Sequence, residues 1–399
     1  MAEKIVLAYS GGLDTSVAIT WLKENYGFDV IAVAVSLGGG EDMVEAIERA
    51  RRNGAIEAYG IDAAVEFVDE YLSRAIKANA LYEDKYPLAT ALGRPLIVKH
   101  LVEQAAASQA VAVAHGCTGK GNDQVRFDVG IKTLAPDLKI VAPIREWKMS
   151  REEEIDYAAD HNIEIKVDKA KVYSIDANIW GCAIEGGNLE DPWNEPNEDI
   201  YMMTASVDSA PAEPSYAEIA FAGGLPVALD GRALPLHDLV LALNEIAGRN
   251  GVGRLDMIEN RLVGIKSREV YEAPAALALI TAHRALEDLT LEREVARYKR
   301  QAEQKYAELV YNGQWFSPLR TALDAFFDSV QANVNGDVRL RFHKGTLAVA
   351  GRRSPESLYQ YELATYDKAD AFDHDAAAGF IQLWGLPLTE WAKRHKEQS

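Results

Sequence analysis

The residues Ala8-Tyr9-Ser10-Gly11-Gly12-Leu13-Asp14-Thr15-Ser16 combine the groups needed to hold a pyrophosphate. Lys4-Ile5-Val6-Leu7-Ala8 reads as a short buried strand, and Val17, Ala18, Ile19, Trp21 and Leu22 as the apolar part of a helix. Glycines in the turn between them let backbone approach a ligand, since no Cβ intervenes. The helix start then offers unpaired N–H groups and a partial positive charge, both favourable to phosphate. Hydroxyls of Ser10, Thr15 and Ser16 add donors, and Asp14 can hold Mg²⁺ against the phosphates. No Gly-x-x-x-x-Gly-Lys loop occurs. Gly38-Gly39-Gly40 does not complete a dinucleotide fingerprint either, because Met43 stands at the third glycine position.

A second loop, His115 to Phe127, follows another expected strand and carries Gly116, Gly119 and Gly121. Thr118 and Asn122 can donate to a carboxylate, Asp123 can hold an ammonium, and Arg126 offers a bidentate fork. Such a set suits a zwitterionic amino acid. The same residues equally describe a glycine turn with polar side chains in solvent. His115 is expected to pack the loop rather than act as a base, and Cys117 has no partner cysteine at a spacing suited to thiol chemistry.

The Ser10–Ser16 string resembles the signature of the ATP pyrophosphatases, which cleave ATP between its α and β phosphates and adenylate a substrate oxygen. A closer resemblance, to the argininosuccinate synthases, rests on six strings in order. They are Ser-Gly-Gly-Leu-Asp-Thr-Ser, Ala-Leu-Tyr-Glu-Asp-Lys-Tyr-Pro-Leu at 80–88, and Thr-Gly-Lys-Gly-Asn-Asp-Gln-Val-Arg-Phe at 118–127. Tyr-Ser-Ile-Asp-Ala-Asn at 173–178, Gly-Val-Gly-Arg-Leu-Asp-Met-Ile-Glu-Asn-Arg at 251–261, and Lys-Ser-Arg-Glu-Val-Tyr-Glu-Ala-Pro at 266–274 complete the set. The similarity runs from residue 4 to beyond 385. It implies that ATP adenylates the ureido oxygen of citrulline with release of pyrophosphate, and that the amine of aspartate then displaces AMP.

The resemblance also implies the site. ATP, with Mg²⁺, would contact Ala8, Tyr9, Ser10, Gly11, Gly12, Leu13, Asp14, Thr15, Ser16, Val35 and Gly116. Aspartate would be held by Thr118, Asn122 and Asp123. Citrulline would be held by Tyr86, Asn122, Arg126, Ser174, Glu259 and Tyr271, with the positions of Ala91 and Ala183 completing its pocket. Asp14, Ser16 and Asp123 would be the catalytic residues, and no further metal site is expected. A homotetramer in the cytoplasm is implied as well.

Four positions depart from the family pattern. Val35 stands where alanine is usual, and Gly39 where glutamine is usual. Ala91 and Ala183 stand where citrulline-binding serines are expected. A hydrogen bond is worth about 0.5–3 kcal/mol. Two lost without replacement predict citrulline affinity lowered by roughly ten-fold to several thousand-fold. The alternatives are a weakened or non-catalytic member, or an ATP pyrophosphatase with a different acceptor.

The elements that must position these loops are legible in outline. Apolar runs at 30–35, 56–61, 110–114 and 140–142 read as buried strands, alternating with helical spacing near 14–25, 41–53, 64–79, 95–108 and 150–161. The expected fold is therefore α/β: a parallel sheet with helices on both faces, binding ligands at the carboxyl ends of its strands. An α+β domain follows, with a strand pair at 216–229, helices at 234–247 and 275–311, and a hairpin around His343-Lys344-Gly345. Expected boundaries are 1–165 for the nucleotide-binding domain, 166–360 for the synthetase domain and 361–399 for an oligomerisation tail. That tail would end in a short amphipathic helix from Pro387. Between the strands, 191–215 carry four prolines and read as loop.

A chain of 399 residues is long for one core and suggests two or three domains. With 48% hydrophobic and 26% charged residues, it has a globular composition and lacks a run long enough to span a membrane. The net charge of −19 argues against a nucleic-acid surface. Met1-Ala2-Glu3-Lys4 leads directly into an expected strand, so no signal peptide is expected. With only Cys117 and Cys182, a reducing compartment is expected.

Overall fold

Alternation in the first strand sets the layout of the N-terminal sheet. In β1 (Lys4–Ala8), Ile5 and Leu7 point to one face and Val6 to the other. The computed structural model describes residues 2–40, 42–165 and 173–395. Beside β1 lie β2 (Asp29–Ser36), β3 (Glu57–Asp62), β4 (Ala112–Ala114) and β5 (Lys139–Val141), in the parallel order β3-β2-β1-β4-β5. Chain order reverses between β1 and β4, and loops from those two strands meet at the crevice so formed.

Helices cover both faces, as the alternation requires. On one side α1 (Leu13–Tyr26) packs Ala18, Ile19 and Leu22 against Ile5 and Leu7; α2 (Met43–Arg52) adds Ala50 to the same cluster. Further along the chain come α3 (64–77), whose middle turn Phe67–Leu72 is π-wound, α4 (Ala89–Ser108) and α5 (Asp123–Leu134). Val98 and Leu101 of α4, with Phe127 and Ile131 of α5, cover Val6, Ile31, Val33 and Val113 on the opposite face. Helix α4 begins six residues before the expected start at 95. Burial of Ala89, Thr90, Ala91, Leu92 and Leu96 outweighs the one helical bond that Pro95 forgoes. Helix α6 (Arg151–Asp160) starts on a Ser150/Glu153 capping box.

Two antiparallel sheets follow. One runs β11-β12-β7-β6, from β6 (Ser174–Asn178), β7 (Gly181–Glu185), β11 (Arg254–Asn260) and β12 (Lys266–Glu272). The other runs β10-β9-β8-β13-β14, from β8 (Ser215–Ala222), β9 (Leu225–Leu229), β10 (Arg232–Ala233), β13 (Gly336–His343) and β14 (Thr346–Arg353). The second contains both expected hairpins. The first was not legible as a sheet: one face is charged and the other is short, so no strand in it reads as an apolar run. Helices α7 (Leu236–Arg249), α8 (Pro274–Thr290), α9 (Arg293–Tyr311) and α10 (Pro318–Gln331) pack the largest core, including Leu239, Leu243, Leu279, Tyr306 and Phe327.

By contacts the chain divides into residues 1–356 and 357–399. The latter unit contains α11 (His374–His395), none of whose residues is buried. This helix begins well before Pro387, which lies inside it rather than at its start; residues 396–399 fall outside the described residues. So do 166–172, where the expected second domain begins. No described helix is long and apolar enough to cross a membrane.

Candidate active site

Residues 8–16 fold as a strand–turn–helix. Gly11 has φ +75°, which a side-chain-bearing residue adopts only under strain. Gly12 caps α1 without any side-chain bond to the helix start. The first-turn N–H groups of Leu13, Asp14 and Thr15 therefore lack helical acceptors. Ser10 Oγ lies 3.1 Å from Thr15 Oγ1, and Arg49 donates to the Gly11 carbonyl at 3.0 Å, pinning the turn. Ser16 is fully buried, with its Oγ 3.0 Å from the Tyr9 hydroxyl. Val35, partly buried at the end of β2, packs with the core on the opposite face of the sheet from α1.

Gly116 brings the second loop against the first: a Cβ there would come 3.0 Å from Thr15 Cγ2. His115 has no exposed surface. Its Nδ1 accepts from the Cys117 N–H at 3.3 Å, so its Nε2 donates to Asp128, 2.7 Å away. Both ring nitrogens thus serve the loop. Burial pushes the Cys117 thiol up, far from a reactive thiolate.

Beyond Gly116 opens a cleft of about 290 Å³. Tyr86, Gly116, Thr118, Asn122, Asp123, Arg126, Ser174, Ala183, Glu259 and Tyr271, all expected at the site, line it together. One wall is the polar face of the β11-β12-β7-β6 sheet. Alternation points Ser174, Asp176, Ala183, Glu185, Glu259, Glu269 and Tyr271 inward, while Cys182, Ile184 and Val270 join an apolar cluster behind. Ala183 pairs in register with Asp176 and Tyr271. Ala91 is different. It is 1% exposed in the first turn of α4 and belongs to the core. Thr90 lines the cleft beside it, its hydroxyl 2.8 Å from that of Tyr86.

Charges in the cleft are organised in two groups. Around Asp123, Arg94 donates at 2.9 Å and Arg126 at 2.9 Å. Burial alone would raise this carboxyl, but the two guanidiniums outweigh it and bring it down to about 2. Arg94 also bridges to Asp176. Around Arg261 gather Glu185, Glu269 and Ser267. Burial and the neighbouring Glu185 push the Glu269 carboxyl up to about 8 against the pull of Arg261.

Thr90, Arg94, Asp176, Glu185, Arg261, Glu269 and Tyr311 were not singled out from sequence. Most lie inside the recognised strings or one helical turn away, so their proximity was the available signal. Tyr311 lies outside all the strings and had none.

Asp14 has a carboxyl neighbour. Glu154 of α6, 5% exposed, reaches Asp14; burial and this contact push it up to about 8, and its Oε2 has no hydrogen-bond partner among the described residues. A cation held between them would satisfy that orphaned oxygen. No group of three or more metal-ligating side chains occurs among the described residues.

Comparison with known proteins identifies the family. Residues 4–164 match the arginosuccinate synthase N-terminal HUP domain, and residues 173–391 match the arginosuccinate synthase C-terminal domain. The argininosuccinate synthase of Geobacillus thermodenitrificans is 60% identical, over 96% of this chain and 94% of its own. That of Bacillus pumilus is 57% identical, over 96% and 95%. The Rubrobacter xylanophilus enzyme is 56% identical, over 100% and 97%. The chain belongs to the argininosuccinate synthase family.

Proposed function

We infer that the cleft performs the reaction of this family, the ATP-dependent ligation of citrulline and aspartate to argininosuccinate, with release of AMP and pyrophosphate. The observation that carries the assignment to this cleft is the close approach of Gly116 to Thr15, by which the cleft adjoins the Ser10–Ser16 turn.

The ureido oxygen of citrulline is a weak nucleophile, so the main work of the site is positioning and charge stabilisation. The triphosphate would lie on the N–H groups of Leu13, Asp14 and Thr15, with Ala8 to Ser16, Val35 and Gly116 around the nucleotide. Ser16 would act by holding Tyr9 and the helix start in place, since its own hydroxyl is turned inward. Mg²⁺ would be held by Asp14 and the unpartnered oxygen of Glu154, offsetting phosphate charge. Asp123, kept ionised by Arg94 and Arg126, would receive the aspartate ammonium, with Thr118 and Asn122 holding its carboxylates. Tyr86, Asn122, Arg126, Ser174, Glu259 and Tyr271 would hold citrulline. Arg126 has one guanidinium edge on Asp123 and stacks over Tyr311, 4.9 Å from the ring centroid.

Of the two missing serines, Ala183 faces the pocket and Ala91 does not, so the cost to citrulline binding would fall on Ala183. A weakened enzyme remains the second reading for that reason. The exposed apolar residues of α11 support assembly, as a homotetramer, through the tail. The free thiols of Cys117 and Cys182 suit a reducing cytoplasm. Pyrophosphate release with Mg-ATP and aspartate, as citrulline is titrated into the millimolar range, tests the reaction. Release that needs both amino acids is expected; none from folded, ATP-binding protein overturns it.

A further inference from the structure

Tyr311 ends α9 and is followed by a turn that only glycine can make here. Gly313 has φ +73°, and a Cβ on it would lie 2.8 Å from the Arg126 Cα. The turn therefore presses α9 against the second substrate loop. Tyr311 itself is 1% exposed and lines the cleft. Its ring stacks on Tyr82, centroids 3.6 Å apart and planes 4° from parallel, and the Arg126 guanidinium covers it. Its carbonyl accepts from Arg126 Nε at 3.0 Å.

The direction of each hydrogen bond at its hydroxyl is fixed. The Leu262 N–H donates to Asn122 Oδ1 at 2.9 Å, so the Asn122 amide must turn its Nδ2 toward Tyr311, 2.8 Å away. The phenol accepts that bond and spends its one proton on Glu259 Oε1 at 2.6 Å. Tyr271 donates to the other oxygen, Glu259 Oε2, at 2.7 Å. Two phenols thus clamp one buried carboxylate, and the Tyr311 phenol also anchors the Nδ2 end of the amide that the Leu262 N–H has oriented. A phenol is rigid, and with acceptor and donor both used it has one stable orientation.

We propose that Tyr311 is a positioning residue for the amino-acid substrates, coupling Asn122 to Glu259 through its hydroxyl. This rests on the reading of the cleft given above. The residue touches three of the side chains that reading assigns to citrulline, from a helix that otherwise serves the core. Removing only the hydroxyl leaves Asn122 Nδ2 without its acceptor and Glu259 Oε1 without its donor. Binding of citrulline, which uses both residues, should suffer most. Aspartate, which uses Asn122 alone, should suffer less, and ATP not at all.

The test is Tyr311→Phe in the full chain, which keeps the ring and its stacking partners. Loss of a hydrogen bond to a charged group predicts a citrulline KM raised by roughly 10- to 150-fold. The aspartate KM should rise by less, with the ATP KM and the unfolding midpoint at wild-type values. Unchanged KM for both amino acids overturns the proposal. A rise for all three substrates together with a lower unfolding midpoint also overturns it, since that pattern marks a structural role. If the wild-type protein releases no pyrophosphate, the reaction assigned above fails. Calorimetric titration of citrulline into wild type and variant then decides the role of Tyr311 separately: a matching loss of affinity supports it, and equal affinities overturn it.

Discussion

At the scale of single residues, the two alanines that replace expected serines are not equivalent. Ala183 lies on the cleft wall in register with Asp176 and Tyr271, whereas Ala91 is sealed in the core. Ala183→Ser should therefore lower the citrulline KM by roughly ten-fold, the worth of about one hydrogen bond. Ala91→Ser adds a hydroxyl where apolar side chains surround it and should lower the unfolding midpoint without improving KM. Steady-state kinetics and thermal unfolding of both variants check this; a KM gain from Ala91→Ser alone would reverse the assignment. Sequence placed both positions at the citrulline pocket because they sit within recognised strings. A string cannot say which of two adjacent helical residues, Thr90 or Ala91, turns toward the cleft.

At the scale of elements, α1 and α6 meet through two carboxyl groups. Glu154 is held near 8 by burial and by Asp14, well above the roughly 4.3 of an exposed glutamate. Between those values the folded protein retains a proton that the unfolded chain has lost. Stability from this group therefore falls as pH rises from about 4.5 to 8. In metal-free buffer Glu154→Gln should flatten that decline, measured as the difference in unfolding midpoint between pH 5 and pH 8.5. Identical pH dependence in wild type and variant would show that Asp14 and Glu154 do not share charge. The pairing of these helices follows from the parallel sheet, but the meeting of residues 14 and 154 does not follow from either helix alone.

At the scale of the whole molecule, net charge and the tail act in opposite senses. A formal charge of −19 disfavours self-association, and salt weakens that repulsion. Yet α11 exposes Phe380, Ile381, Leu383, Trp384, Leu388 and Trp391. A helix with that much uncovered apolar surface is a site of association, or a marginal element in isolation. The double variant Leu383→Asp/Trp384→Asp should give a lower mass by light scattering than the wild-type protein, while its residues 1–356 retain their cooperative unfolding. A wild-type protein that is already monomeric would end the proposal of assembly through this helix.

The sequence by itself determined the class of chemistry and the N-terminal architecture. A strand, a Ser-Gly-Gly turn and a helix start present free N–H groups suited to phosphate through local backbone geometry, and buried parallel strands announce themselves as apolar runs. The six strings also named most of the cleft. Only the tertiary structure showed that the β11-β12-β7-β6 sheet presents its charged face to the cleft. Those strands lack an apolar signature because alternate side chains are polar and line the cleft. Nor could sequence pair Arg94 with Asp123, Glu154 with Asp14, or Tyr311 with Asn122 and Glu259. Each pair joins residues far apart in the chain, and burial and hydrogen-bond direction, which decide their roles, exist only once the chain is folded.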